Sequence, residues 1–371
     1  MRAIDRLLRR GIRRVGSART GFRYVRPGGR RARRADAERI RQLALPPAWT
    51  EVHAAPEANA RLQAIGRDRA GRWQYRYRAE FLRLRAAAKY RRLLRFADAL
   101  PRIRAALRRD MGRRGLPRER VLAAMVRVLE ACFMRPGSEA YARRNGSYGL
   151  TTVRRRHVRV ARDLVEFDYR GKSGQRQVRE LRDARVARLV RACLRVPGRD
   201  VFKFLEDGEV VDVRRRHLNA YLRGISGAPF TAKDFRTWAG TLLCAGELAR
   251  RAAPAAARAE RRRAASAALR AVADRLGNTP AVARSSYVSP AVLAGFGRGR
   301  VVGCALADGE VLGATPALCE AERELVALLR AAERRPALRA LAGGGGGSPE
   351  AAAPTGATAK PARRAARRAE R

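Results

Sequence analysis

Leu62-Gln-Ala-Ile-Gly-Arg-Asp-Arg-Ala-Gly-Arg-Trp-Gln-Tyr-Arg-Tyr77 reads as two alternating runs on either side of a glycine-containing turn. Successive side chains of a strand point to opposite faces, so this alternation predicts a β-hairpin. From about residue 79 the period changes. Phe81 to Leu107 (interrupted at Pro101), Pro117 to Phe133 and Val178 to Leu194 carry apolar residues at three- and four-residue spacing, the pattern of helices with one buried face. The switch divides the chain into an α+β arrangement. A small N-terminal antiparallel β-rich domain is expected over about 17–85, and a mainly α domain with a small inserted β-sheet over about 86–342.

Outward from the hairpin, Gly21-Phe-Arg-Tyr-Val-Arg-Pro-Gly-Gly29 reads as a short strand and a bend, and residues 36–44 as a helix stopped by Pro46-Pro47. In the second domain Tyr148 to Val153, His157 to Val160 and Leu164 to Tyr169 read as strands. Arg170-Gly-Lys-Ser-Gly-Gln175 closes them, with two glycines bracketing Lys172 at a hairpin tip. A helix is expected from Arg214 to Leu222. Thr231 is placed to cap another, with Asp234 three residues on; Phe235, Trp238, Leu242 and Leu243 form its core face and Arg236 lies in its first turns. An Ala/Arg helix over 255–276 ends at Gly277. Residues 1–16 read as a basic arm, disordered or touching a polyanion, and the glycine run from Gly343 opens a disordered basic tail over 343–371.

The 371 residues contain 83 Lys and Arg against 34 Asp and Glu, a net charge of +49 that is not confined to the two ends. A field of that size calls for a polyanion; nucleic acid is the usual one, and anionic membrane surfaces and acidic proteins are the rivals. Five of the basic residues are lysines, Lys89, Lys172, Lys203, Lys233 and Lys360. A lysine amine gives and takes a proton near neutral pH when its surroundings lower its pKa, which arginine does poorly. Five scattered cysteines, never in a CxxC pair, indicate neither a disulfide framework nor a zinc site, and a reducing, cytoplasmic setting fits them. No run of about 18 apolar residues is present, so no membrane span is expected. His53, His157 and His217 have no metal-type neighbours in the sequence.

Breaking a phosphodiester needs a nucleophile, neutralisation of charge on the pentacoordinate phosphorus and a proton for the leaving oxygen. The chain has no carboxylate cluster for Mg²⁺ and no Walker-type loop, so side chains alone would have to do this. Tyr287 supplies a phenol. Arg135 and Arg236 supply planar donor forks that grip phosphate oxygens and favour the phenolate, and Lys172 supplies a proton. Each alone has an ordinary reading: a packed tyrosine, a solvated arginine, a turn lysine, and Asn278 as a helix-terminating residue. Their order and surrounding text set them apart.

That text is Leu45-Pro-Pro-Ala-Trp-Thr; Leu62-Gln-Ala with Gly66-Arg-Asp and Gln74-Tyr-Arg-Tyr; Arg135-Pro-Gly-Ser-Glu with Tyr148-Gly-Leu-Thr-Thr and His157-Val; Phe167 to Gly174; Ala232-Lys-Asp-Phe-Arg-Thr-Trp-Ala-Gly-Thr; and Leu276-Gly-Asn-Thr-Pro with Tyr287. Over about residues 20–295 it resembles the type IB DNA topoisomerases, specifically their compact bacterial and poxvirus branch. The resemblance implies that Tyr287 forms a 3′-phosphotyrosyl link, that Arg135 and Arg236 bind the phosphate and that Lys172 is the general acid. Asn278 stands where poxvirus members have histidine and bacterial members asparagine, which leaves a neutral donor and no titrating ring. Gln74, Tyr75 and Tyr77 match a sheet that lies in the DNA major groove. The resemblance also implies neither metal nor nucleotide cofactor, and a monomeric clamp on double-stranded DNA with neither membrane nor small molecule as partner, associated with the nucleoid. A tyrosine recombinase shares this catalytic logic, but usually has a helical domain where a β-rich segment is read here; a non-enzymatic DNA-compacting protein would use the charge alone.

Overall fold

The structure is a computed structural model that describes residues 3–251, 257–305 and 312–334. The tail expected over 343–371, and the domain end expected at 342, lie outside the described residues. The chain forms two compact units that divide between Ala88 and Lys89, and the architecture is α+β.

The first unit runs α1 (Ala3–Arg10), β1 (Ile12–Ser17), β2 (Gly21–Val25), α2 (Arg34–Gln42), β3 (Thr50–Ala54), β4 (Leu62–Arg67) and β5 (Trp73–Tyr77). The strands form one antiparallel sheet in the order β2-β1-β3-β4-β5. The stretch read as a basic arm is therefore folded: Ile12 is 1% exposed, Leu7 is buried, and β1 pairs with both β2 and β3. Its arginines hid this, because they sit on the outside of elements whose few apolar residues are core. Arg14 still works for the fold, donating to the carbonyls of Leu45 (3.2 Å), Pro46 (3.0 Å) and Trp49 (2.7 Å). The β4–β5 hairpin closes on Asp68, whose carboxylate accepts from Ala70 N, Arg72 N, the Arg72 guanidinium and Gln74 Nε2. Hydrogen bonding from Arg72 lowers the Asp68 pKa to about 2.

The long helix α3 (Ala79–Met111) opens the helical part, and the second unit begins within it at Lys89. Pro101 does not interrupt it. Leu100 and Ile103 beside the proline are fully buried, and that packing offsets a helix-interior cost of about 3 kcal/mol. Then come α4 (Arg118–Cys132), α5 (Glu139–Asn145), β6 (Val158–Ala161), β7 (Leu164–Arg170), β8 (Arg176–Arg182), α6 (Ala184–Arg195), β9 (Lys203–Glu206), β10 (Glu209–Asp212) and α7 (Arg215–Ser226). The chain continues through α8 (Ala232–Arg251), α9 (Arg258–Leu276), α10 (Pro280–Val282), one π-helical turn (Ala283–Tyr287), α11 (Pro290–Phe296) and α12 (Glu320–Glu333).

Two further expectations are corrected in this unit. Val178–Leu194 is not one helix: β8 holds its first residues as the third strand of the antiparallel β6-β7-β8 sheet, and Asp183 caps α6 by accepting from Arg185 N and Val186 N. Apolar residues of a strand followed at once by a helix produced a spacing that imitates a longer helix. Tyr148–Val153 is not a strand either; Leu150–Thr152 is a 3₁₀ turn, tied by Leu150 N to Arg135 O and Thr151 N to Pro136 O.

The core of this unit surrounds α4 and α8, each buried along most of its length. Phe96 on α3 is met edge-on by Phe230 and Phe235, at 5.2 and 4.9 Å. Next to this apolar packing lies an ionic one. Arg104, 2% exposed, donates to Glu130 Oε1 (2.8 Å) and to both oxygens of Glu322 (2.9 and 2.8 Å), while Trp238 Nε1 donates to Glu322 Oε1 (2.8 Å). Burial works against the Arg104 charge, but the two carboxylates overcome it and raise its pKa. Removing one partner would strand charge inside the protein. Glu322→Ala is expected to destabilise the second unit by about 3–5 kcal/mol, read as a lowered urea midpoint in Trp fluorescence; a change below about 1 kcal/mol would mean that the network is not a structural tie.

Candidate active site

The start of α8 is fixed before Arg236 is reached. The Asp234 carboxylate accepts from Thr231 N (2.8 Å) and Thr231 Oγ1 (3.0 Å), and Arg92 grips it through Nε (2.6 Å) and Nη2 (2.8 Å). One turn is thereby locked at the N-terminus, where a carboxylate is favoured. Two residues on, Arg236 is 3% exposed. Its Nη1 donates to Phe133 O and its Nη2 to Leu276 O at 2.8 Å. Both acceptors belong to helix ends: Phe133 is the left-handed residue after α4 (φ 55°), and Leu276 is the last of α9. Carbonyls there lack intrahelical donors and suit a cation.

Arg135 follows Phe133 by two residues and uses the same helix end. Its Nη2 donates to Gly277 O at 2.7 Å and to Asn278 Oδ1. Gly277 has φ 61°, which glycine adopts at no steric cost, and Asn278 N returns to Ala273 O (2.8 Å) to close the α9 cap. Every acceptor recorded for the two guanidinium groups among the described residues is an uncharged oxygen. Burial, reinforced by repulsion from Arg236, lowers the Arg135 pKa to about 10. Two donors are left over, Arg236 Nε and Asn278 Nδ2, both buried without a partner.

Tyr287 ends the π-helical turn, and the Arg236 guanidinium lies 4.9 Å from its ring centroid. Thr279 starts this segment by capping α10 through Val282 N (3.3 Å), and Val288 N donates to Ala283 O at 3.0 Å, the five-residue spacing of a π turn. α8 seats the tyrosine from beneath. A Cβ on Gly240 would lie 2.9 Å from Tyr287 Cβ, and Thr241 Oγ1 donates to Tyr287 O at 3.0 Å. Burial pushes the phenol pKa up, but the positive charges of Arg236, then Arg135 and Lys233, outweigh it, so the net direction is down.

The structure thus brings together Arg135, Arg236, Asn278 and Tyr287. Lys172 is not hydrogen-bonded to them; it is exposed at the β7–β8 connection, on a turn closed by Gly171 N to Gln175 O (2.7 Å). Gln74, Tyr75 and Tyr77 all lie on β5 of the first unit, half-buried. Strand alternation puts Gln74 on one face and the tyrosines on the other, where they stack with centroids 6.2 Å apart against Leu7, Leu62 and Ile65.

Sequence reasoning assigned no role to Lys89, Gly240, Thr241 or Gln177. Lys89 on α3 is partly buried, and its Nζ donates to Ser286 O at 2.6 Å, one residue before Tyr287. Burial and the nearby Lys233 lower its pKa to about 8. Its only signal was rarity, a lysine in the Ala86-Ala-Ala-Lys stretch of an arginine-dominated chain. Gly240 and Thr241 were visible as text after Arg236, without a spacing rule to link them to a residue far along the chain.

A model of the eukaryotic DNA topoisomerase I catalytic core matches residues 79–293, and one of the bacterial DNA topoisomerase IB N-terminal domain matches residues 21–68. DNA topoisomerase 1B of Acanthamoeba polyphaga mimivirus is 34% identical over 261 residues, 68% of this chain and 77% of that protein. DNA topoisomerase I of Monkeypox virus and DNA topoisomerase 1B of Vaccinia virus (strain Copenhagen) are each 27% identical over 116 residues, 31% of this chain and 37% of theirs. With one family model spanning more than half of its length, on the segment that carries both arginines and the tyrosine, the chain belongs to the type IB DNA topoisomerases.

Proposed function

We propose that this topoisomerase relaxes supercoiled duplex DNA without ATP or metal, by opening and resealing one strand through a covalent link to Tyr287. The Tyr287 oxygen attacks the phosphorus, the bond from phosphorus to the 5′ oxygen breaks, and that oxygen takes a proton from Lys172. The products are a 3′-phosphotyrosine and a free 5′ hydroxyl. Resealing is the reverse, with the 5′ hydroxyl displacing the tyrosine. One phosphodiester is exchanged for another of similar energy, so torsion in the DNA supplies the drive while the free end turns. Arg135 and Arg236 hold the non-bridging oxygens, and Asn278 Nδ2 donates to one of them. Gln74, Tyr75 and Tyr77 contact the duplex, and the enzyme works as a monomer on nucleoid DNA in the cytoplasm.

The observation that carries this reading is a pair of inward-held guanidinium groups with only neutral acceptors, beside a phenol whose pKa is lowered. A phosphodiester brings the missing negative charge, and that charge grows as the phosphorus becomes pentacoordinate. The two stranded donors, Arg236 Nε and Asn278 Nδ2, are then available to it.

Tyr287→Phe is expected to bind duplex DNA with unchanged affinity yet leave supercoiled plasmid unrelaxed in EDTA without ATP. Relaxation by that variant would remove Tyr287 from the mechanism. The lowered phenol pKa also sets a pH dependence. The attacking form is the phenolate, so single-turnover cleavage should rise with pH and level off below the ordinary tyrosine value of about 10. In Arg236→Ala burial acts with less opposition, so the bend should move to higher pH and the plateau should fall by about 10²–10³-fold. A bend that stays in place would mean that Arg236 does not act on the phenol.

A further inference from the structure

Lys172 sits on an exposed turn and makes no hydrogen bond to Arg135, Arg236 or Asn278. A proton donor on such a turn needs a fixed base to reach one particular oxygen. That base is packed on a single side chain. Gln177 of β8, 8% exposed, lies between two glycines from different parts of the chain. A Cβ on Gly171, the residue before Lys172, would come 2.8 Å from Gln177 Cγ. A Cβ on Gly277, whose carbonyl receives Arg135, would come 2.4 Å from Gln177 Oε1 and 2.9 Å from Nε2. Glycine is thus required on both sides for the amide to fit.

The amide is also held at both ends. Gln177 Oε1 accepts from Arg179 Nη2 at 2.8 Å, and the same nitrogen donates to Arg275 O at 3.1 Å, in the last turn of α9. Gln177 Nε2 donates to Arg176 O at 3.1 Å. Across the β7–β8 ladder Gln177 faces Tyr169, which is buried and lies in the field of both active-site arginines. One side chain therefore touches the foot of the Lys172 turn and the backbone that orients Arg135 and Asn278.

We infer that Gln177 is a positioning residue: wedged between Gly171 and Gly277, it fixes the Lys172 turn relative to the end of α9, so that the ammonium reaches the leaving oxygen while the arginines hold the phosphate. The inference rests on the proposed role of Lys172 as proton donor. A shorter side chain would leave a void between the two glycines and free the turn, while the arginines would keep their own carbonyl acceptors. The expected defect is specific to the protonation step.

The test compares single-turnover cleavage of two duplexes by the full chain, one with the natural 5′ oxygen at a mapped cleavage linkage and one with sulfur there, which leaves without a proton. Gln177→Ala is expected to cleave the oxygen duplex about 10–100-fold more slowly and to recover most of that loss on the sulfur duplex. Lys172→Ala should show the same recovery, and the double variant should be no slower than Lys172→Ala alone. Equal loss of Gln177→Ala on both duplexes, with Lys172→Ala recovered, would overturn the inference and leave the Lys172 reading intact. No recovery for Lys172→Ala would overturn that reading itself. Should Gln177→Ala unfold, Gln177→Asn, one methylene shorter and so withdrawn from Gly277, carries the same comparison.

Discussion

The site depends on two guanidinium groups that are held inward with no carboxylate partner among the described residues. Positive charge taken from water is costly, and a protein normally meets that cost with a paired acid, as Arg104 shows with Glu130 and Glu322. At Arg135 and Arg236 the acceptors are instead carbonyls at the ends of α4 and α9 and one amide oxygen. Such dipoles orient a fork of donors without cancelling its charge. The charge is left uncancelled, and the same field lowers the pKa of the Tyr287 phenol.

Holding the tyrosine in that field is a separate task, shared by elements far apart in sequence. α8 contributes Arg236 on one turn, and Gly240 and Thr241 on the next, so one helix sets both the charge and the seat of the ring. The π turn places Tyr287 out of step with an α-helix, and Lys89 pins the carbonyl before it from α3. The start of α8 is tied to α3 by Arg92 and Asp234. A shift of α3 would therefore be felt at both the arginine and the tyrosine.

Much of this was legible where local pattern and chemistry coincide. The β4–β5 hairpin, the Thr231–Asp234 helix start, the Gly277 helix end and the glycine-flanked turn carrying Lys172 each have a sequence signature with a physical cause. Arg135, Arg236, Asn278 and Tyr287 were singled out and are brought together. What stayed hidden depends on long-range packing. Arginines masked the few core residues of α1 and β1, tertiary burial carried α3 through Pro101, and β8 ran straight into α6 with a spacing that passes for one helix. Lys89 and Gln177 act through a carbonyl and two glycines that only the fold brings near them.

Under the proposed mechanism, the contrast between buried arginines and an exposed lysine follows from what each would do in a reversible cycle. A group that stabilises charge keeps its proton throughout, so burial costs it nothing in turnover and strengthens its field by removing competing water. A group that donates its proton when the strand opens must regain one when the strand closes, and it must do so at a 5′ oxygen that leaves with the rotating end. An exposed amine on a turn meets both demands, since it exchanges with solvent and stands clear of the phosphate grip. Such freedom is useful only if the turn is anchored, and the inferred anchor is a buried side chain at its foot, packed against the glycine whose carbonyl receives Arg135.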